Sequence, residues 1–230
     1  MAAISVSRFK TNIQRDIGQL GLANTFKDYA FKVINLLTLF KVFHAMTIGK
    51  VNPKYLLTEE KYTCKFLTPE ELFVFSSDKE LELDEEFLRY AIEKGDECYA
   101  ILDGERLAAY GWYSNASTIV GEDLHLKFHE DYIYMYKGYT HQHYRGQRLH
   151  AVGMTRALDA YLQRGFKGIV SYVEAGNFRS LQSVYRMGYA DFGKVYILKL
   201  LGKYLIHHSR GCDNYGFRVE NTPTLSRREK

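Results

Sequence analysis

Residues 131–163 constrain this chain more than any other stretch. Tyr132, Tyr134 and Tyr136 alternate with Ile133 and Met135, the period-two pattern of a strand over residues 131–139. The strand runs into a basic turn, His141-Gln142-His143-Tyr144-Arg145-Gly146-Gln147-Arg148. From Leu149 the period changes: Ala151, Met154, Leu158 and Tyr161 recur at helical steps, and Gly165 marks where the helix ends. A strand that passes through a basic turn into a helix leaves free amides at the positive helix end beside two arginines. Such a junction receives phosphate. The plainer alternative is a surface turn with solvated basic residues.

The flanking elements set the class. Residues 62–67 read as a short strand, and Thr68-Pro69-Glu70-Glu71 as a capped helix start with an acidic first turn. A helix is expected over 84–94. Residues 98–102 and 107–113 read as a hairpin around Asp103-Gly104. Residues 168–173 form a further strand. Asn177 then caps a helix with Leu181, Val184 and Tyr185 on its inner stripe, and Gly188 closes it. A last strand pair is expected over 195–200 and 204–208. Residues 1 to about 50 read as helical, because Phe26, Ala30, Val33, Leu37 and Phe40 recur at three- and four-residue steps. That stripe packs on the rest of the domain, or serves as an acyl-chain wall, a dimer face or a membrane-surface helix. The class is α+β: a mixed sheet with helices on its faces and an N-terminal helical extension. The division is 1–60 as the extension, 61–220 as the main domain and 221–230 as a flexible tail.

Composition removes several function classes. With 230 residues, 46% hydrophobic, and only three prolines, the chain is a globular protein with a core rather than a disordered or fibrous one. Cys64, Cys98 and Cys212 lie far apart, matching neither a disulfide framework nor a metal-ligand spacing, so no metal and a reducing compartment are expected. The N-terminus lacks a signal-like apolar stretch, and residues 33–48 are interrupted by Asn35, Lys41 and His44, short of the ~20 apolar residues that span a bilayer. A cytoplasmic location is expected. A net charge of +4 favours acidic or phosphorylated ligands, while the acidic run over 78–86 argues against a nucleic-acid track.

The run Tyr144-Arg145-Gly146-Gln147-Arg148-Leu149-His150, followed by Asn177-Phe178-Arg179-Ser180-Leu181 and Tyr185-Arg186-Met187-Gly188-Tyr189, resembles the GNAT superfamily of N-acetyltransferases over about residues 98–200. The resemblance implies a mixed, mostly antiparallel central sheet and an acyl thioester donor, acetyl-CoA or a longer acyl-CoA. It implies that the turn Arg145, Gly146, Gln147, Arg148, Leu149 and His150 holds the pyrophosphate, and that Gly138, Tyr139 and Thr140 pair with the pantetheine arm. Asn177 is then a pantetheine contact near the thioester, and Tyr185 the acid that protonates the departing thiolate; the plain readings are a helix cap and a core aromatic. The family's small residues at the end of the turn would fall at Arg148 and His150, neither of which is small. That departure suits either added charge from Arg148 or an acyl carrier protein as donor, for which Arg145, Arg148, Lys167 and Arg186 make a basic rim.

A primary amine must lose a proton before or during attack. Glu130, Asp131, His141, His143 and Glu174 are candidates, and Glu174, ending a strand beside Asn177, is preferred. The expected reaction is direct transfer to the amine of a small molecule, the oxyanion held by strand amides around Thr140. The tyrosines at 132, 134, 136 and 139 either line the acceptor pocket or pack. A homodimer and a non-catalytic binding module of the same fold are the remaining alternatives.

Overall fold

A computed structural model describes residues 17–18, 21–27, 29–30, 40–121, 123–200 and 203–222. The chain begins its sheet with β1 (Phe40–Ile48), followed by β2 (Tyr62–Phe66), helices α1 (Pro69–Val74) and α2 (Glu85–Glu93), and the hairpin β3 (Glu97–Asp103) and β4 (Arg106–Ser114). Two short strands, β5 (Thr118–Gly121) and β6 (Leu124–Lys127), precede β7 (Tyr132–Thr140), α3 (Leu149–Gln163), β8 (Gly168–Glu174) and α4 (Phe178–Met187). The strands β9 (Ala190–Leu200), β10 (Lys203–His208) and β11 (Arg218–Asn221) complete the order.

Local signals act as expected at most of these boundaries. Thr68 and Glu71 make a reciprocal capping box with Pro69 at the first helical position. Asp84 caps α2 through the Phe87 amide and Asn177 caps α4 through the Ser180 amide. Gly104 turns the hairpin and Gly188 closes α4, both with left-handed backbone.

Eight strands form one sheet in the order β10-β9-β1-β8-β7-β4-β3-β2, and β11-β6-β5 form a small second sheet. All pairings are antiparallel except β7 with β8. On one face, α3 and α4 pack through Met154, Leu158, Tyr161, Leu181 and Met187 on Ile133, Met135 and Ile169. On the other, α1 and α2 cover β3 and β4, and the small sheet covers Phe43, Tyr134, Val170 and Val195.

The helical reading of residues up to about 50 is corrected from Phe40 onward. Phe40–Ile48 is a central strand, paired with β8 on one side and β9 on the other. Its apolar residues alternate between two buried faces: Phe43 and Ala45 meet the small sheet, Met46 and Ile48 meet the α3 layer. A strand buried on both faces is apolar at both parities, so its period is lost. Phe26 is helical but 74% exposed, while Val33 and Leu37 lie outside the described residues. Asn221, placed in the expected tail, ends β11, and residues 223–230 lie outside the described residues.

Candidate active site

The parallel strands β7 and β8 part company midway. Tyr132, Ile133 and Tyr134 pair with Gly168, Ile169 and Val170, and the Ser171 hydroxyl donates to the Met135 carbonyl at 2.8 Å. Beyond that point β7 follows β4 to Thr140, while β8 follows β1 to Glu174. A V-shaped notch opens between them, and among the described residues the edge of β7 facing it has no strand partner beyond Tyr134.

A bulge stands at the apex of the notch. Trp112 pairs with Lys137 and Tyr113 with Met135, so Tyr136 is an extra residue in β7. A bulge bends and twists the strand that carries it, which turns β7 away from β8.

The open end of β7 leads to the turn. His141 begins a short 3-10 turn over Gln142–Tyr144, the Tyr144 phenol donates to Asp103 at 3.0 Å, and the Arg145 Nε donates to the Thr140 carbonyl at 3.3 Å. Gly146 and Arg148 both have positive φ, and α3 starts after Arg148 with no side-chain cap. The first main-chain bond into the helix runs from the Val152 amide to the Arg148 carbonyl. The amides before it have no intrahelical acceptor, so they point out of the positive helix end. A left-handed arginine costs roughly 1 kcal/mol against glycine.

His150 fills the space a small residue would leave open, and Gly138 makes room for it across the gap. A Cβ on Gly138 would stand 2.6 Å from His150 Cε1 and 2.9 Å from the Met135 methyl. Burial holds the His150 imidazole below its ordinary titration range. The ring also walls a cavity of about 310 Å³ between the starts of α3 and the end of α4, with Lys54, Tyr55, Arg148, Ala151, Ser183, Arg186 and Met187. Among the described residues its charged lining is Lys54, Arg148 and Arg186, with no carboxylate. An anion is the species that such a lining favours.

Of the expected basic rim, Arg148 and Arg186 are thus brought together, whereas Arg145 bonds to Thr140 and Lys167 pairs with Asp131 at 2.5 Å. Lys54 escaped the sequence reading, since nothing local signals that its 3-10 turn (Pro53–Tyr55) would dock against α3 and α4. Arg156 holds that segment by donating to the Leu56 carbonyl at 2.7 Å through Nη2 and at 3.0 Å through Nε.

Tyr185 does not reach this cavity. Its phenol donates to Asp191 on β9 at 2.7 Å, and Asp191 also meets His44 Nδ1 at 3.1 Å. Burial and Asp191 push Tyr185 up to about 12. Ser183 and Arg186 present the face of α4 that turns to the cavity, and Tyr185 falls on a different side.

Asn177 uses its carbonyl oxygen as the α4 cap, and Glu174 sits at the mouth of the notch in an ion pair with Lys41 at 3.0 Å. Asp131 lies at the closed end of β7, bound to Lys167, which holds its carboxyl below the usual range. His141 and His143 line a separate cleft of about 710 Å³ on the α1 side, and His141 Nε2 is 3.3 Å from Glu80. The tyrosine row packs: Tyr134 is buried in the core, Tyr139 stacks on Tyr110 at 5.4 Å, and Tyr132 lies 5.1 Å from Tyr215. Thr140 adjoins the turn, some four residues or ~13 Å along β7 from the bulge at the apex.

Among the described residues no group of three or more His, Cys, Asp and Glu side chains is placed to hold a metal, and no helix is long and apolar enough to cross a membrane.

Comparison with curated proteins finds no match. Among solved structures, an aminoglycoside acetyltransferase from an uncultured soil metagenomic sample, in complex with trehalose, is similar at 13% identity and TM-score 0.43, over 56% of this chain and 89% of that one. A GCN5-related N-acetyltransferase-like protein from Streptococcus suis is 16% identical at TM-score 0.44, over 84% and 68% of the two chains. A tandem GNAT protein from the clavulanic acid biosynthesis pathway is 12% identical at TM-score 0.48, over 74% and 54%. The family model for the acetyltransferase (GNAT) family matches residues 61–189, more than half of the chain and all of the segment from β2 to α4. The chain belongs to the acetyltransferase (GNAT) family and is an acyltransferase.

Proposed function

We propose that this enzyme moves an acyl group from an acyl-CoA to the primary amine of a small molecule by direct attack. The observation that carries the reading is the notch between β7 and β8 leading to a helix start without a side-chain cap, beside a cavity whose charges, among the described residues, are all cationic. The diphosphate of the donor lies on the amides from Gly146 to His150, with Gln147 and Leu149 shaping the turn and Arg148, Arg186 and Lys54 supplying charge. The pantetheine arm extends along the free edge of β7, pairing with Gly138, Tyr139 and Thr140, and the carboxamide nitrogen of Asn177 contacts it from α4.

The thioester carbonyl then lies at the apex, where the main-chain groups of Tyr136 and Lys137 meet the charge that develops on its oxygen. Glu174, at the mouth, takes the proton of the attacking amine, and the ion pair with Lys41 at 3.0 Å holds its carboxylate near the notch. The amine nitrogen bonds to the carbonyl carbon, the tetrahedral intermediate collapses, and the carbon–sulfur bond breaks. His150, against Gly138, gives a hydrogen bond to the departing thiolate in place of Tyr185, whose phenol is committed to Asp191.

An acyl carrier protein is the second donor reading, favoured by the exposed arginine where a close-fitting diphosphate site has least need of a side chain. Calorimetry with CoA, a long-chain acyl-CoA and an acylated carrier protein separates the two donors, and thiol release with a panel of primary amines tests transfer. Binding of CoA with thiol release only when an amine is present is the expected result. Failure to bind all three donors sinks the reading. His150→Phe is expected to lower kcat about tenfold or more, and an unchanged rate would remove the imidazole from the chemistry.

A further inference from the structure

The bulge residue Tyr136 is tied to a buried charge pair that the acyl-transfer reading does not use. Its phenol donates to Asp96 Oδ2 at 2.8 Å. The same oxygen meets Lys94 Nζ at 3.0 Å, and Lys94 also donates to Thr118 at 2.8 Å. The Asp96 side chain has no exposure and that of Lys94 is 14% exposed. Asp96 Oδ1 is buried without a hydrogen-bond partner among the described residues. The Tyr136 ring is clasped from three sides, by Trp112 at 6.5 Å, Phe87 at 6.4 Å and the Lys94 ammonium at 5.2 Å.

This arrangement is a costly way to stabilise a fold. Burying an ion pair rarely repays its desolvation, and an orphaned carboxylate oxygen adds to the cost. Apolar residues of the same volume would fill the space as well. What they would not do is fix which residue of β7 is the extra one. A bulge that slips by one position turns each intervening side chain to the opposite face and re-aims the local amides and carbonyls. Slippage here would pull the Tyr136 hydroxyl out of the Asp96 site and leave a buried carboxylate with one donor fewer.

We propose that Asp96, held by Lys94 and acting through Tyr136, is a positioning residue that locks the bulge at the apex of the notch. It thereby sets the direction of the main-chain groups of Tyr136 and Lys137 toward the thioester carbonyl. The catalytic half of this inference rests on the acyl-transfer reading above; the locking of the bulge does not.

Tyr136→Phe keeps the ring and removes only the hydroxyl, and Asp96→Asn keeps the shape and removes the charge. Amide hydrogen exchange, resolved by residue, is expected to accelerate about tenfold at Lys137 and Gly138 in Tyr136→Phe while Ile133 is unchanged. In the same variant kcat is expected to fall about tenfold with CoA affinity held within about twofold, the signature of a lost transition-state interaction. A variant that loses only thermal stability, with kcat unchanged, would reduce the network to packing. Exchange rates equal to those of the unmodified chain would overturn the locking outright. If the unmodified chain releases no thiol, acyl transfer fails, and the exchange comparison still decides whether the bulge is locked. Should Asp96→Asn not fold, Tyr136→Phe carries the test by itself.

Discussion

His150 shows how much one side chain can settle in a site of this kind. The sequence marks it as a bulky residue where the family resemblance leads one to expect a small one, at the end of the basic turn. What it cannot show is the complement, a glycine on a neighbouring strand that accepts the ring. Burial disfavours the imidazolium, so the folded-state pKa lies below the unfolded value of about 6.5. Protonation is opposed in the folded chain and unopposed in the unfolded chain. As pH falls through about 6.5 the unfolded state takes up the proton first, and stability is lost on acidification while remaining flat above neutrality. The unfolding temperature of the natural chain should therefore fall more steeply between about pH 7 and pH 5 than that of His150→Gln. His208, also held low by burial, contributes equally to both chains. Parallel curves would show that the ring is solvated. Tyr185 carries the opposite lesson: helical spacing puts it on the inner stripe with Leu181 and Val184, yet it is 45% exposed, and its phenol turns to Asp191, which also meets His44, both brought to it by other strands.

At the scale of elements, the readable pieces are those whose stop and start signals are local. The capping box at Thr68, the Asp103-Gly104 hairpin and the long helix α3 are all found where the sequence puts them. The strand β1 is not, because apolar residues at both parities hide its period. Its place explains its sequence, since it holds β8 on the side away from β7 and keeps the notch open. Proline tests that role. Ala45 has no exposure and stands between two paired strands, so Ala45→Pro should cost about 3 kcal/mol or more in urea unfolding. Leu205 is 59% exposed on the edge strand β10, which has one strand neighbour in the main sheet, and Leu205→Pro should cost clearly less. Equal losses would contradict a central position for β1. The strands β5, β6 and β11 escaped the sequence reading for another reason: at four residues each they are too short to show a period, and β11 pairs with β6 across about ninety positions.

In the whole molecule, the small sheet and the main sheet share one core, so they should unfold together. Phe217 is fully buried between them, packed with Val195, Ile197 and Cys212 and edge-on to Phe192 at 5.4 Å. Phe217→Ala should cost about 3–5 kcal/mol and lower a single unfolding transition. Two separated transitions would show that the small sheet is an independent unit. The sequence by itself determined the mixed α and β class, the strand–turn–helix junction and the family resemblance, since each is written in short-range periods, caps and turn residues. The tertiary structure alone decided that residues 40–48 lie at the centre of the sheet, that Lys54 joins the cationic cavity, and that Tyr185 turns away from it. Those facts depend on contacts between residues far apart in the chain, and no local pattern records which distant partner a buried strand or a side chain will meet.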